Sequence, residues 1–286
     1  MDSPEKGAHP SLSGSRRLTW LSSGSMRSMK AYQQATLSET SSQIGKIETM
    51  NPYTEQSIAE SYDSHYSEKI YKVENALMSH TLERYCDNAR VLDLGAGTGL
   101  TAELTVPESY VAVDMSEAML KVLTTKFAGD KTITPFTIVG NLCSIQGLNH
   151  VYNQLEPLAP FDIVTCLWAG HDIHSRLLLR MIYDLLTPYG TVFMHGNFPR
   201  RKNRSASPAQ QDETSDHFLP DKLYSDLVAE NFEEVQIKGC NAIPDFLSRN
   251  LSEPTLFHAM RKSQKLPAKY HYHGVAIGRK PYDRYI

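Results

Sequence analysis

The stretch VLDLGAGTGL, Val91 to Leu100, constrains this chain more than any other, because an apolar run passes directly into three glycines at alternate positions. An apolar segment that does not alternate with polar residues reads as a buried parallel strand, covered on both faces. Glycines at its end admit left-handed backbone and let another group approach where a side chain would stand. That group is a phosphate, the sugar of a nucleoside cofactor, or another tightly packed turn of the protein itself.

The same rhythm continues downstream. Further strands are expected at Ser109 to Asp114, Pro135 to Gly140, Phe161 to Trp168 and Gly190 to Gly196, with helices at Ser116 to Phe127, capped by Ser116, and at Ser175 to Leu186, stopped by Pro188. An amphipathic helix over Ser67 to Tyr85 leads into the first strand, which spans Ala89 to Gly95. Strand and helix alternating in this way imply an α/β fold with a parallel sheet and helices on both faces. After it come strands at Phe232 to Gly239 and His271 to Lys280, separated by a helix at Glu253 to Ser263. These two can finish the sheet as an antiparallel pair, with the intervening segment crossing a ligand site.

Composition sets the outer limits. With 286 residues, 41% of them apolar, the chain supports one substantial core and excludes a disordered or fibrous class. Residues 1–45 hold eleven serines and little to bury, so they read as a disordered tail, with residues 46–88 as a helical cap on a domain at 89–286. The acidic Asp2 and Glu5 fit neither a signal peptide nor a mitochondrial presequence. No run of 18 apolar residues exists to span a membrane. A net charge of −3 argues against capture of a polyanion, although Arg200, Arg201, Lys202 and Arg204 form one local basic cluster. Cys86, Cys143, Cys166 and Cys240 lack metal-ligand spacing and read as small apolar residues in a reducing, cytoplasmic compartment.

The glycines Gly95, Gly97 and Gly99 fall at the carboxyl end of the first strand, where open α/β sheets bind ligands. Asp114 ends the next strand nineteen residues after Gly95, where a carboxylate can accept both hydroxyls of a ribose, or merely cap the following helix. The spacing departs from the dinucleotide fingerprint G-x-G-x-x-G, and no Gly-Lys-Ser/Thr follows to make a P-loop. VLDLGAGTGL, followed by VAVDMSEAML, resembles the first motifs of class I S-adenosylmethionine-dependent methyltransferases. The order of elements from Ala89 to Lys280 is similar to that family's seven-stranded, Rossmann-like, mostly parallel sheet with an antiparallel last strand.

The resemblance implies S-adenosyl-L-methionine as cofactor. It implies that Asp93 holds the methionine end through backbone or water, that Gly95, Ala96 and Gly97 pack against the cofactor, and that Asp114 takes the ribose. Asn141 stands where the family often has an acidic residue for the adenine amine; its amide oxygen also accepts, and the Leu142 N–H can serve the ring nitrogen. Met115 would cover an adenine face, Leu167 and Trp168 would line the boundary with the acceptor, and Tyr62 and Tyr66 resemble aromatics that close over the cofactor. Each of these aromatic and apolar side chains also has an ordinary core reading.

The function expected is methyl transfer to a heteroatom or activated carbon of a small molecule, by a monomer or homodimer. Methyl transfer from a sulfonium asks mainly for alignment, exclusion of water and, where the acceptor carries a proton, a base. His171, three residues past the fourth strand, and His195, at the end of the fifth, compete for that role, with unperturbed imidazoles titrating near pH about 6.5. No metal is required, although His171, Asp172 and His174 keep a metal-assisted variant open. Segments at about 197–222 and 241–268 are expected as lids. The absence of an NPPY-like stretch after the fourth strand speaks against base- and glutamine-modifying branches. The competing readings are a protein or RNA methyltransferase, and a methyltransferase-like fold that binds the cofactor without transferring its methyl.

Overall fold

A computed structural model of the chain describes residues 52–65, 67–130, 132–167, 169, 175–197 and 220–282. A short helical turn, Pro52–Thr54, precedes α1 (Gln56–His65) and α2 (Lys69–Cys86). The alternating part follows as β1 (Arg90–Leu94), α3 (Leu100–Glu103), β2 (Ser109–Asp114), α4 (Glu117–Lys126), β3 (Phe136–Val139), α5 (Ile145–Leu155), β4 (Phe161–Cys166), α6 (Ser175–Leu185) and β5 (Leu186–Asn197). The last elements are α7 (Pro220–Ala229), β6 (Glu233–Asn241), α8 (Asp245–Asn250), α9 (Glu253–Ser263) and β7 (His273–Arg279). They build one seven-stranded sheet in the order β3-β2-β1-β4-β5-β7-β6. β1 to β5 run parallel, and β7 inserts antiparallel between β5 and β6.

Side chains alternate across the pleat, so each strand feeds two cores. On one face Leu92, Leu94, Val164, Cys166, Val192 and Met194 pack with α5, α6 and α7. On the other, Val91, Tyr110, Ala112, Ile163, Phe193 and Ile277 pack with Met78, Leu82 and Cys86 of α2 and Leu120 and Leu123 of α4. Tyr85 of α2 meets Phe193 edge to face at 5.0 Å. α9 does not build a wall of its own over the sheet; Leu256 and Met260 are fully buried against Val73 and Leu77 of α2.

One boundary differs from the sequence reading. α6 stops at Leu185 without help from Pro188, which lies inside β5. Leu186 already pairs with Phe161, and an irregularity absorbs the proline before Thr191 takes up the register opposite Ile163. Proline, which has no N–H to donate, is tolerated there because the irregularity leaves its position out of the ladder. The Ser116 cap is as expected: its side chain accepts from the Met119 N–H.

The four cysteines are free, and Cys86, Cys166 and Cys240 are buried. Burial pushes each of these three thiols up to about 12, so they behave as apolar side chains. Among the described residues no helix is long and apolar enough to cross a membrane.

Candidate active site

The three glycines of the turn serve two different needs. Gly95, Gly97 and Gly99 all have positive φ, at 74°, 53° and 88°. A Cβ on Gly95 would stand 2.1 Å from the Cβ of Ala169, just past β4, and one on Gly99 would meet Leu123 of α4 at 2.9 Å. A Cβ on Gly97 would meet nothing within 4 Å. Two of the glycines therefore let the protein pack on itself, while Gly97 faces open space. The Gly95 and Ala96 N–H groups both donate to the Val113 carbonyl, at 2.7 and 3.0 Å, which fastens the turn to β2.

Asp114 closes this corner. Its carboxylate accepts from the Gly97 N–H at 2.9 Å and the Ser116 N–H at 2.8 Å, so the side chain is held across the mouth of the turn. Burial raises its pKa, and the backbone donors Ser116, Gly97 and Met115 oppose that shift. Asp93 points elsewhere: it is 1% exposed and accepts from the Tyr110 and Thr165 hydroxyls, the latter at 2.8 Å. Burial pushes Asp93 up to about 6, against the hydrogen bonds of Tyr110, Thr165 and Thr101 and with a small contribution from Asp114.

Around the corner stand residues that local reading did not find. Thr98 of the glycine turn donates to Asp63 of α1, and Asp63 pairs with Lys126 at 2.7 Å, which also reaches Glu103 at 2.6 Å. Tyr53 meets Tyr62 edge to face at 5.6 Å, and its carbonyl accepts from the Ser116 hydroxyl. The N-terminal helix is thus clasped onto the turn by side chains 35 or more positions away in sequence, a separation at which no spacing rule applies. Asn141 uses its amide oxygen to accept from the Cys143 N–H at 2.7 Å, making a turn after β3. The Leu142 side chain is buried in the core, so what it can offer a ligand is its backbone N–H. Met115 is half-buried beside Asp114, and Leu167 is 4% exposed within the core under α2. Tyr66, Trp168 and the loop carrying His171, Asp172 and His174 lie outside the described residues, as does most of the expected lid at 197–222.

The register brings the remaining members to one level. Leu94 pairs with Val113, Asp93 with Thr165, and Cys166 with Met194. One residue further on lie Asp114, Gly95, Leu167 and His195, across four neighbouring strands that span about 14 Å. His195 is 6% exposed, and its Nε2 lies 3.0 Å from Nδ1 of His273 on β7. Nε2 of His273 lies 3.0 Å from Oε1 of the buried Glu74 of α2, which also accepts from Asn241 Nδ2 at 2.7 Å. Glu74 and His273 border a pocket of about 380 Å³ with Glu68, Lys69, Arg249 and Tyr272.

A family model described as a methyltransferase domain matches residues 91–190, from β1 into β5. The stretch that carries the glycine turn, Asp114 and Asn141 therefore has the sequence of a methyltransferase domain. The fold is similar to that of a SAM-dependent methyltransferase of Thermotoga maritima, at 15% identity and TM-score 0.54, over 79% of this chain and 97% of the other. It is also similar to phosphoethanolamine N-methyltransferase 2 of Haemonchus contortus, at 14% identity and TM-score 0.51, over 82% of this chain and 61% of that one. A comparison with curated proteins by sequence returned no match. The glycine turn and Asp114 fit the family's cofactor: an open backbone approach at Gly97 stands opposite a carboxylate with lone pairs to spare.

Proposed function

We propose that this methyltransferase acts on a small-molecule acceptor in the cytoplasm, binding S-adenosylmethionine across the ends of β1, β2 and β3. The observation that carries the reading is Asp114, fixed by backbone N–H groups opposite the open side of Gly97. Asp114 takes the ribose hydroxyls, the backbone of Gly95 to Gly97 approaches the sugar and methionine portion, and Met115, Asn141 and the Leu142 N–H receive the adenine. Asp93 supports the turn from behind through Tyr110 and Thr165. Tyr62, with Tyr53 beside it, covers the cofactor, and Tyr66 joins them. Leu167 and Trp168 separate donor from acceptor, with His171 and His195 on the acceptor side. The cofactor supplies a methyl on a good leaving group, so the chain has to align, dehydrate and deprotonate.

Small-molecule use is supported by the net charge of −3, which offers a polyanion little attraction. The four free cysteines fit a reducing compartment. Calorimetric titration with S-adenosylmethionine and its demethylated product tests the cofactor site, with one site per chain expected. Asp114→Ala is expected to cost about 1.5–3 kcal/mol of that binding, the value of a hydrogen bond to a charged group. Tight binding of NAD with no binding of the methyl donor would overturn the assignment. Labelled methyl donor offered separately to small molecules, RNA and protein tests the acceptor class, and label transferred only to a macromolecule would refute it.

A further inference from the structure

The sheet edge beyond β5 holds a buried carboxylate with only one of its two oxygens in use. Glu74 of α2 is 5% exposed; its Oε1 accepts from Asn241 Nδ2 at 2.7 Å and lies 3.0 Å from Nε2 of His273. The Asn241 oxygen accepts from the Ile243 N–H at 2.8 Å, which settles its amide with the NH₂ toward Glu74. Glu74 Oε2 has no hydrogen-bond partner among the described residues. It is open all the same, because the one side-chain nitrogen or oxygen there that is both sealed from solvent and unpartnered is Nδ1 of His271. The space it opens into is the pocket of about 380 Å³ that Glu74 lines together with Ile70, Tyr71 and Tyr272.

A carboxylate taken out of water is costly unless a cation or enough donors meet it. The lysine and arginine of the same pocket are placed otherwise. Lys69 donates to the carbonyls of Arg249 and Leu251, the former at 3.1 Å, and Arg249 is exposed, as is Glu68. The rim thus carries both signs in water, where they are screened, and the buried end carries a carboxylate oxygen that lacks a donor. Ile70 and the two tyrosines supply apolar wall for the carbon skeleton of a small molecule. A positively charged N–H group completes Oε2 best, since charge-assisted hydrogen bonds are about twice as strong as neutral ones.

We propose that this pocket holds the ammonium group of the methyl acceptor on Oε2 of Glu74, so that the acceptor is a small molecule bearing an amine. This rests on the methyl-transfer reading and deepens it. Asn241 is the last residue of β6 and His273 the first of β7, so the pocket lies on the same edge of the sheet as the glycine turn, with β7 three strand spacings, or about 14 Å, from β1. An ammonium has no lone pair and does not attack a methyl group. The amine is therefore the handle by which the acceptor is recognised, and the nucleophilic atom stands on another part of the molecule, toward β4. Glu74 selects the acceptor: an alcohol of the same shape offers Oε2 a weaker donor, and a carboxylic acid sets a second negative charge against it.

Proton–nitrogen NMR of the full-length protein tests this with three probes of similar shape: 2-phenylethylamine, 2-phenylethanol and 3-phenylpropionate. The amine should move the side-chain amide signal of Asn241 and bind at least about tenfold more tightly than the alcohol, with the propionate weakest. In Glu74→Gln, whose amide oxygen can still accept from Asn241 and His273, the advantage of the amine over the alcohol should shrink to within about twofold. No binding of the amine, equal binding of amine and alcohol, or amine binding that leaves Asn241 unmoved would overturn the proposal. If Glu74→Gln does not fold, the ranking of the three probes and the Asn241 signal in the unaltered protein still decide. Titration with the demethylated donor separates the two readings. An amine held beside Asn241 by a protein that binds no donor would refute the methyl-transfer reading and the acceptor role with it, whereas donor binding without amine preference would refute the pocket assignment alone.

Discussion

At the β1–β2 end of the sheet the candidate site presents backbone, at Gly97 and the turn that Asp114 holds. The β5–β7–β6 end presents side chains, in the hydrogen-bonded series His195, His273, Glu74 and Asn241. The first end is written within twenty-five residues of sequence. The second gathers positions as much as 199 residues apart. A backbone site depends on where glycine is allowed, which is a local property, whereas a side-chain site depends on which strands become neighbours.

The largest effect expected from breaking this contrast is at Gly95. An alanine there adds left-handed strain to a 2.1 Å approach to Ala169, so Gly95→Ala should lose about 4 kcal/mol of folding stability, read from the urea midpoint. The site's backbone end would then be lost by unfolding rather than by a weaker contact. A midpoint shift under about 1 kcal/mol would show that the β4 loop gives way.

Asp93 sharpens the comparison through pH. Its folded-state pKa lies near about 6, above the usual 3.8, so the folded protein holds this proton more tightly than the unfolded chain. The contribution is fully present below pH about 4 and is lost as pH rises through about 6. Relative to Asp93→Asn, the natural protein should therefore lose up to about 3 kcal/mol of stability between pH 4 and pH 8. Denaturant melts at both pH values check the sign, and a gap that widens in favour of the aspartate at high pH would contradict the burial effect.

His195→Ala separates the two ends directly. Turnover should drop about 10²-fold or more, while calorimetry finds the donor bound as before. Loss of donor binding in this variant would mean that the ends are not independent. The smallest effect is at Gly97, where Ala meets no neighbour and the cost is left-handed strain alone. Gly97→Ala should lose only about 1–2 kcal/mol of folding stability, with a separate fall in donor affinity as its methyl enters the open space. Unchanged donor affinity would place the cofactor elsewhere.

What could be read in advance follows the same division. The limits of β2 and α9, the Ser116 cap and the parallel order up to β5 come from period, caps and short connections, all of which are local. Pro188 misled because a proline signals the end of a helix equally well when it sits in a bulge of the next strand. Asp63, Thr98 and Lys126 were missed because nothing near any one of them in sequence marks the others. Glu74 looked like one more polar position on an amphipathic helix. It is 5% exposed, and its partners Asn241 and His273 come from β6 and β7, far away in sequence.

The insertion of β7 between β5 and β6 also sets the order in which the two ends of the sheet are completed. During synthesis β6 emerges with its eventual neighbour still unmade, because the strand that joins it to the sheet is the last one in the described chain. The hydrogen-bonding partners of the glycine turn, Val113 and Asp114, are all made well before then. His273 is the first residue of β7, so the series His195, His273 and Glu74 is assembled only when that strand takes its place between β5 and β6. A chain that stops short of β7 therefore contains every hydrogen-bonding partner of the glycine turn and lacks the residue that joins His195 to Glu74.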